Sequence, residues 1–150
     1  MLRSIVTNIE KLRLLSSPVG PGDPIIEIAN DMWDTWKAHS TKGIGLAAPQ
    51  IGILKRVVIV GGEGHSLRMV INPRITSQKG TQISEEGCLS LPWLTTLIDV
   101  PRADKIRLRG TDIATGGPIK LFLRGLDAAV AQHEVDHLDG KLIIDYKEAR

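Results

Sequence analysis

The amino-acid sequence predicts an α+β fold, in which antiparallel β-strands pack around one central metal-binding α-helix. Two short runs of alternating apolar residues, 105–109 and 119–123, flank turn-forming residues and indicate a β-hairpin. A run of good helix formers without internal Gly or Pro follows at 126–138, and it carries two histidines one helical turn apart. The 150 residues are enough for a domain with its own core, and we expect residues 1–150 to form a single domain.

The first 40 residues indicate an arm followed by an amphipathic helix. Residues 1–22 end in Ser, Pro and Gly, which are typical of a loop. Asp23 and Pro24 suit the N-cap and the first position of a helix. Apolar residues then recur at helical spacing, and we expect the helix to end near His39, where a dipole interaction accounts for the histidine.

The middle of the chain indicates strands joined by loops. Residues 41–50 form a small, apolar loop, whose glycines permit close approach of the backbone and whose polar side chain is Gln50. The glycine spacing does not fit a phosphate-binding loop. The further segments are expected to be strands at 56–60 and 67–71, the second stopped by Asn72-Pro73, a polar connection at 76–85, an extended segment at 86–92, a weak strand at 93–100 and a short strand at 141–146.

Composition excludes several classes of protein. The net charge is only +2, and the Lys and Arg residues look scattered, so no nucleic-acid-binding face is expected. A single cysteine excludes an internal disulfide and fits a reducing compartment. No apolar run approaches the roughly 18 residues of a membrane span, and the N-terminus lacks the features of a signal peptide. We therefore expect a cytoplasmic protein without a membrane partner.

The helix at 126–138 contains the pattern H-E-x-x-H. His133 and His137 lie one turn apart on the same face of a helix, so both imidazoles can bind one metal ion. Glu134 lies beside them, where it can accept a proton from water. Gly140 suits the end of this helix.

A catalytic site of this kind needs a third protein ligand. The position that other H-E-x-x-H proteases use for a third histidine holds Ile143, and Glu148 lies close to the C-terminus. The third ligand should therefore come from upstream, and the candidates are His39, His65 and Cys88. Cys88 is flanked by Gly, Glu and Ser on an extended segment, where a thiolate ligand is plausible.

Three segments resemble, in this order and spacing, the signature motifs of the peptide deformylase family: 43–50 (GIGLAAPQ), 86–90 (EGCLS) and 132–137 (QHEVDH). The family removes the formyl group from the formyl-methionine of new polypeptides. The resemblance implies that Cys88, His133 and His137 bind the metal ion and that Glu134 is the general acid and base. It further implies that Gln50 and the backbone N–H of Leu89 stabilise the oxyanion.

The resemblance also implies a substrate site, a metal and a partner. The backbone of Gly45 would lie against the peptide, and the methionine pocket would be formed by Ile44, Leu126, Ala129 and Val130. Glu86 and Arg102 would support the metal site from behind. One divalent ion is expected, Fe²⁺ as the native one, with Zn²⁺, Ni²⁺ or Co²⁺ also acceptable to this site. The partners are formyl-Met peptide N-termini.

Two departures from the family pattern stand out. The Arg that members carry shortly after Pro92 is missing, and this run is about two residues longer. The chain also stops soon after the metal helix, so docking to the ribosome through a C-terminal helix is not expected.

Two alternatives stay open at this point. The first is a generic zinc endopeptidase, which lacks the downstream ligand of its class. The second is a non-catalytic protein that only binds peptide termini, and such a protein would have no use for Gln50 and Glu134.

Overall fold

The computed structural model describes residues 1–40, 45–61 and 66–147. The helices are α1 (Ile9–Leu12), α2 (Ile25–His39), α3 (Gly125–Leu138) and α4 (Ile144–Lys147), and a 3₁₀ turn spans Ala48–Ile51. The strands are β1 (Leu46–Ala47), β2 (Val57–Gly61), β3 (Leu67–Lys79), β4 (Gln82–Glu86), β5 (Ile98–Arg102), β6 (Lys105–Asp112) and β7 (Pro118–Arg124). The predicted α+β class is confirmed.

The strands form two antiparallel sheets, and α3 contacts strands of both. The larger sheet has the order β1-β2-β3-β6-β7, and the smaller one pairs β4 with β5. Alternate residues of β6 and β7 point inward and are buried in one cluster with apolar residues of α3. Because of this alternation, the hairpin could be predicted from the sequence. The buried residues also place α3 against the inner face of the larger sheet.

Strand β2 is buried on both faces, which explains its continuous apolar sequence. Val58 and Val60 belong to the cluster that contains α3, whereas Val57 and Ile59 pack in a second cluster with α2. Helix α2 spans the predicted residues, but Asp23 does not cap it. The Asp23 carboxylate instead accepts a hydrogen bond from the Gly20 N–H at 2.7 Å and pairs with Lys55 at 3.1 Å.

Strand β3 continues through the expected stop. Asn72 adopts a positive φ of 52°, and the register shifts between Ile71 and Arg74, so Pro73 falls where the ladder is already interrupted. The expected polar connection at 76–85 is therefore wrong, because its residues lie mostly in β3 and β4. The Asn72 side chain also connects this bulge to the arm, because its Oδ1 accepts a hydrogen bond from the Val19 N–H at 2.8 Å.

The arm and the C-terminal segment pack together. Leu12 in α1 is fully buried with Leu142, and Arg13 forms two 2.6 Å hydrogen bonds with the Asp145 carboxylate. Asp145 also accepts the Leu142 N–H at 2.9 Å, which favours the helical turn α4 over the strand predicted for 141–146. The weak strand at 93–100 is likewise replaced by β5 at 98–102. Within the described ranges, no helix is long and apolar enough to cross a membrane.

Candidate metal centre

Three side chains with metal-binding atoms meet where α3 passes the end of β4. Cys88, His133 and His137 each offer one ligand atom, and these atoms lie within 4.8 Å of one another. The Cys88 Sγ is 3.4 Å from His137 Nε2, and the two imidazole centroids are 5.1 Å apart. Of the three upstream candidates, the structure brings Cys88 to the histidines. His39 is not in this cluster, and His65 lies outside the described residues.

Local structure explains how each group reaches this point. Helix α3 is largely buried, so its two histidines face the interior, and His137 is only 2% exposed. Cys88 is the second residue after β4 and begins a turn, in which the Leu91 N–H donates a hydrogen bond to the Cys88 carbonyl at 3.0 Å. The turn directs the sulfur towards the helix.

The donor set fits a divalent transition metal. One thiolate and two imidazoles are typical ligands of Zn²⁺ and of other borderline-soft ions, and three protein ligands leave a position open for chemistry. Burial lowers the pKa of His137 well below its usual range, which keeps the ring neutral and ready to bind. Burial also acts to lower the pKa of His133, but hydrogen bonds with Cys88 and Glu86 outweigh it and raise this pKa to about 10. A bound cation therefore competes with a proton at His133.

A buried ionic network holds His133 from behind. Burial acts to raise the pKa of Glu86, but hydrogen bonds from Arg102 and His133 lower it to about 2. The carboxylate is thus ionised and can only accept, so His133 Nδ1 donates to Glu86 Oε1 at 2.9 Å and leaves Nε2 for a metal ion. Arg102 forms two bonds with Glu86, at 2.8 and 3.0 Å, and a third with Asp136 at 2.7 Å.

The network continues to a residue that sequence reasoning missed. The Tyr146 hydroxyl donates to Asp136 Oδ2 at 2.5 Å, and the Arg102 guanidinium lies 5.0 Å from the Tyr146 ring centroid. Burial, followed by the bond to Asp136, raises the Tyr146 pKa to about 12. No local signal indicated this role, because it depends on the docking of α4.

Glu134 is a buried carboxylate without a hydrogen-bond donor at one of its oxygens. The side chain is 4% exposed, and Oε1 has no partner among the described residues. Burial is the largest influence on Glu134 and raises its pKa to about 7. A carboxyl group with this pKa can both accept and return a proton near neutral pH.

Gln50 lies opposite the helix with its amide held in place. Its Oε1 accepts the Ala47 N–H at 3.0 Å, which directs Nε2 to within 3.3 Å of Ser90 Oγ and 3.7 Å of Cys88 Sγ. Gly45 lies directly against Glu134, since a Cβ at this position would be 2.6 Å from Glu134 Oε2. A side chain on residue 45 would therefore occupy the space of the carboxylate.

A cleft of about 650 Å³ opens beside these groups. Gly45, Gln50, Cys88, His133 and Glu134 line it, together with Leu89, Leu126, Ala129 and Val130. Leu126 is 63% exposed at the rim. All of the predicted site residues except His137 and Ile44 line this cleft. His137 is buried behind it, and Ile44 lies outside the described residues.

The arm and the end of α2 also form part of the cleft wall. Ile5, Thr7 and His39 line it. His39 was one of the three candidates for the third metal ligand, whereas no site was predicted at Ile5 or Thr7. The Val6 N–H donates to the Gln50 carbonyl at 2.8 Å, so the arm supports the turn that carries Gln50. His39 Nδ1 lies 3.0 Å from the Thr35 carbonyl, which explains its position without a metal.

Comparisons with known proteins show which sequences and folds this chain resembles. The family model described as polypeptide deformylase matches residues 3–150. A peptide deformylase of Alkalilimnicola ehrlichii is 41% identical over 91% of this chain and 76% of its own length. The crystal structure of a peptide deformylase from Legionella pneumophila superposes with a TM-score of 0.84 and 37% identity, covering 97% of this chain and 86% of the other. The Met-Ala-Ser-bound crystal structure of a class I type b peptide deformylase from Acinetobacter baumannii superposes with a TM-score of 0.85 and 27% identity. This match covers 97% of this chain and 98% of the other.

Proposed function

Because this chain belongs to the peptide deformylase family, it is a metal-dependent hydrolase that removes the formyl group from N-terminal formyl-methionine, and we propose that the cleft beside α3 is where this reaction occurs. The observation that carries the proposal is the meeting of one thiol and two imidazoles beside a buried carboxylate, whose Oε1 has no hydrogen-bond partner among the described residues. We further propose that residues 1–150 act as one catalytic domain in a reducing compartment such as the cytoplasm, which suits a free thiol ligand.

Cys88, His133 and His137 hold one divalent metal ion in this proposal. The bound ion supplies Lewis-acid polarisation and lowers the pKa of water at the site. Fe²⁺ is the native ion in this proposal, because the family resemblance favours it, and the donor set also accepts Zn²⁺, Ni²⁺ or Co²⁺. Glu86 fixes the orientation of the His133 ring through Nδ1, so that Nε2 would remain available to bind the ion.

Glu134 moves the proton during hydrolysis. It accepts a proton from the attacking water at Oε1, the oxygen without a hydrogen-bond partner in the described part of the chain, and then donates it to the departing amine nitrogen. The products are formate and a free N-terminal amine. A pKa of about 7 allows the same carboxyl group to serve in both steps.

Gln50 and Leu89 stabilise the negative charge that develops on the formyl oxygen. The Gln50 amide is fixed by the Ala47 N–H, so its Nε2 needs little reorganisation to donate a hydrogen bond. The backbone N–H of Leu89 is the second donor. Loss of one donor of this kind typically costs about 3 kcal/mol of transition-state stabilisation.

The peptide binds along the cleft with its methionine against α3. Leu126, Ala129 and Val130 offer an apolar surface, and Ile44 completes it in this proposal. Gly45 lets the substrate backbone approach closely, as an added strand would. The Met-Ala-Ser bound to the Acinetobacter protein supports a substrate of this class.

Replacement of Glu134 by Gln tests the proposal. Glu134→Gln should retain its metal and reduce formate release from formyl-Met-Ala-Ser by about 10³-fold, because the amide cannot accept a proton. Glu85→Gln is the matched control, since Glu85 lines the same cleft but is exposed at its rim. Metal content and formate are measured on the same anaerobic samples. Near-normal turnover of Glu134→Gln would remove Glu134 from this role.

A further inference from the structure

The outer surface of β3, β6 and β7 collects positive charge on the side of the sheet away from α3. The inward residues of β6 and β7 pack against α3, so the alternate residues face solvent on the opposite side from the metal centre. At one end of this surface, Lys79, Lys105 and Arg124 lie directly opposite one another on three adjacent strands. All three are exposed.

A second row of three cations crosses the same strands at Arg109, on the same face of β6 as Lys105 and four residues further along. Arg74 is paired with Arg109, and Arg109 with Lys120. These side chains line a shallow hollow of about 460 Å³, together with Asn72 and Thr111. We call these two rows, together with Arg107 and Phe122 between them, the basic face.

An aromatic side chain lies between the two rows. Phe122 is 51% exposed and is paired with Arg107 on the neighbouring strand. The Arg107 guanidinium lies 5.1 Å from the Phe122 ring centroid, and the Lys120 ammonium 5.5 Å from it. The basic face thus presents an apolar ring surrounded by positive charge.

The fold itself does not require this arrangement. Like charges directly opposite one another destabilise a sheet. Within the described ranges, no ion pair is formed by any cation of the basic face, and the one acid of these three strands is Asp112, which is buried and pairs with Arg68 at 3.3 Å. Charged residues protect exposed sheet edges, and this accounts for β7 and for the 74–79 part of β3, which lies beyond the ladder with β2. It does not account for β6, which lies between these two strands.

We propose that the basic face binds single-stranded RNA. The rows of cations match the charge of a phosphate backbone, and Phe122 offers a surface on which an unpaired base can stack. In the described ranges, the three strands present a broad sheet surface and no protruding helix or ribbon that could enter a duplex groove, which favours an unpaired strand. The choice of RNA over DNA rests on the proposed function, because new polypeptides are made beside RNA.

Salt dependence gives the expected strength of the charge contribution. If about five phosphates are contacted, the slope of log K against log salt is about −3.5. Affinity for a labelled, mixed-sequence single-stranded RNA of about a dozen nucleotides should then fall about 100-fold between about 50 and 200 mM salt. Fluorescence anisotropy with the full chain measures both quantities.

Three variants separate the contribution of the cations from that of the aromatic ring and from that of charges elsewhere on the surface. Removal of one row, in Lys79→Gln/Lys105→Gln/Arg124→Gln, should weaken RNA binding more than tenfold and make the slope shallower by about 2. Phe122→Leu should weaken binding roughly tenfold with an unchanged slope, because it removes stacking but no charge. Lys11→Gln/Lys37→Gln/Lys141→Gln is the matched control, since it removes three exposed charges outside these strands and should bind RNA nearly as tightly as the parent.

Several outcomes would overturn the proposal. These are absence of binding at low salt, equal weakening of the row variant and its control, and no effect of Phe122→Leu. Duplex DNA bound as tightly as RNA would also contradict it, as would tighter binding to phosphatidylglycerol vesicles. Formate release is measured on the same samples, because normal release without RNA binding refutes only this inference, whereas RNA binding without any formate release refutes only the proposed function.

Discussion

Replacement of Gly45 by alanine should disable the reaction while leaving the metal ligands in place. The new Cβ would lie 2.6 Å from Glu134 Oε2, 2.8 Å from the Ile59 carbonyl oxygen and 2.9 Å from Val130 Cγ1. Ordinary contacts of this kind begin near 3.4 Å. The Ile59 carbonyl belongs to the backbone of β2, which pairs with β1 at Leu46, so it cannot yield without disturbing the sheet. The Glu134 carboxylate must therefore move by about 0.8 Å, the difference between 3.4 and 2.6 Å.

The size of the effect follows from this displacement. Misplacement of a catalytic group by about 1 Å can reduce the rate by about 10²-fold. We expect kcat/KM of Gly45→Ala to fall about 100-fold, which corresponds to about 2.7 kcal/mol. Overpacking should reduce the free energy of unfolding by about 1–3 kcal/mol, which a domain with a typical stability of about 5–15 kcal/mol tolerates. Cys88, His133 and His137 are not among the three nearest contacts, so metal content should be unchanged.

Formate release, metal content and urea unfolding of the same preparation measure these effects. Gly110→Ala is the matched control, because its Cβ would lie 2.5 Å from Val70 Cγ1 and 2.8 Å from the Ile71 carbonyl oxygen, within the sheet. The control should lose stability to a similar degree but keep its turnover per folded molecule. If Gly45→Ala turned over within about threefold of the parent, the displacement of about 1 Å on which the estimate rests would be refuted.

Three further predictions concern the metal site, its support and the basic face. Cys88→Ala should lose metal to a fixed concentration of chelator, as measured by metal analysis, whereas unchanged content would place the third ligand elsewhere. Glu86→Gln should reduce the free energy of unfolding by about 3–5 kcal/mol at neutral pH, because Arg102 loses a buried partner. The folded pKa of Glu86, about 2, lies below the ordinary 4.5, so this contribution is present above pH 4.5 and is lost as pH falls towards 2. Urea unfolding of both proteins should converge at low pH, and a constant difference would contradict the assignment. Arg109→Gln should raise the free energy of unfolding by about 0.2–1 kcal/mol at low salt, because it relieves repulsion between opposed cations, and the gain should shrink in high salt.

Periodicity predicted those parts of the fold that bury one regular face. The β6–β7 hairpin alternates because its inner face packs against α3, and α3 itself has no interruption over its length. The spacing of His133 and His137 also follows from helical geometry alone, so sequence could place two ligands on one face. The other predicted roles of site residues came from the resemblance of three motifs to the peptide deformylase family.

The other features depend on contacts between distant residues. Cys88 lies 49 residues from His137, and spacing alone left three candidates for the third ligand. The bulge that admits Pro73 into β3 requires a positive φ at Asn72, a possibility that the sequence rule for a strand stop ignores. The cations of the basic face come from three separate strands, and they looked scattered because only the register of the sheet brings them together.

The distance along the chain between the proposed metal ligands determines when a metal site can form. Two of the three, His133 and His137, lie on α3, and His137 follows Cys88 by 49 residues. A growing chain that stops before α3 has Cys88 but neither histidine, so it has no chelating site. Metal insertion at this site would therefore follow synthesis of α3, and products that stop before this helix would remain metal-free.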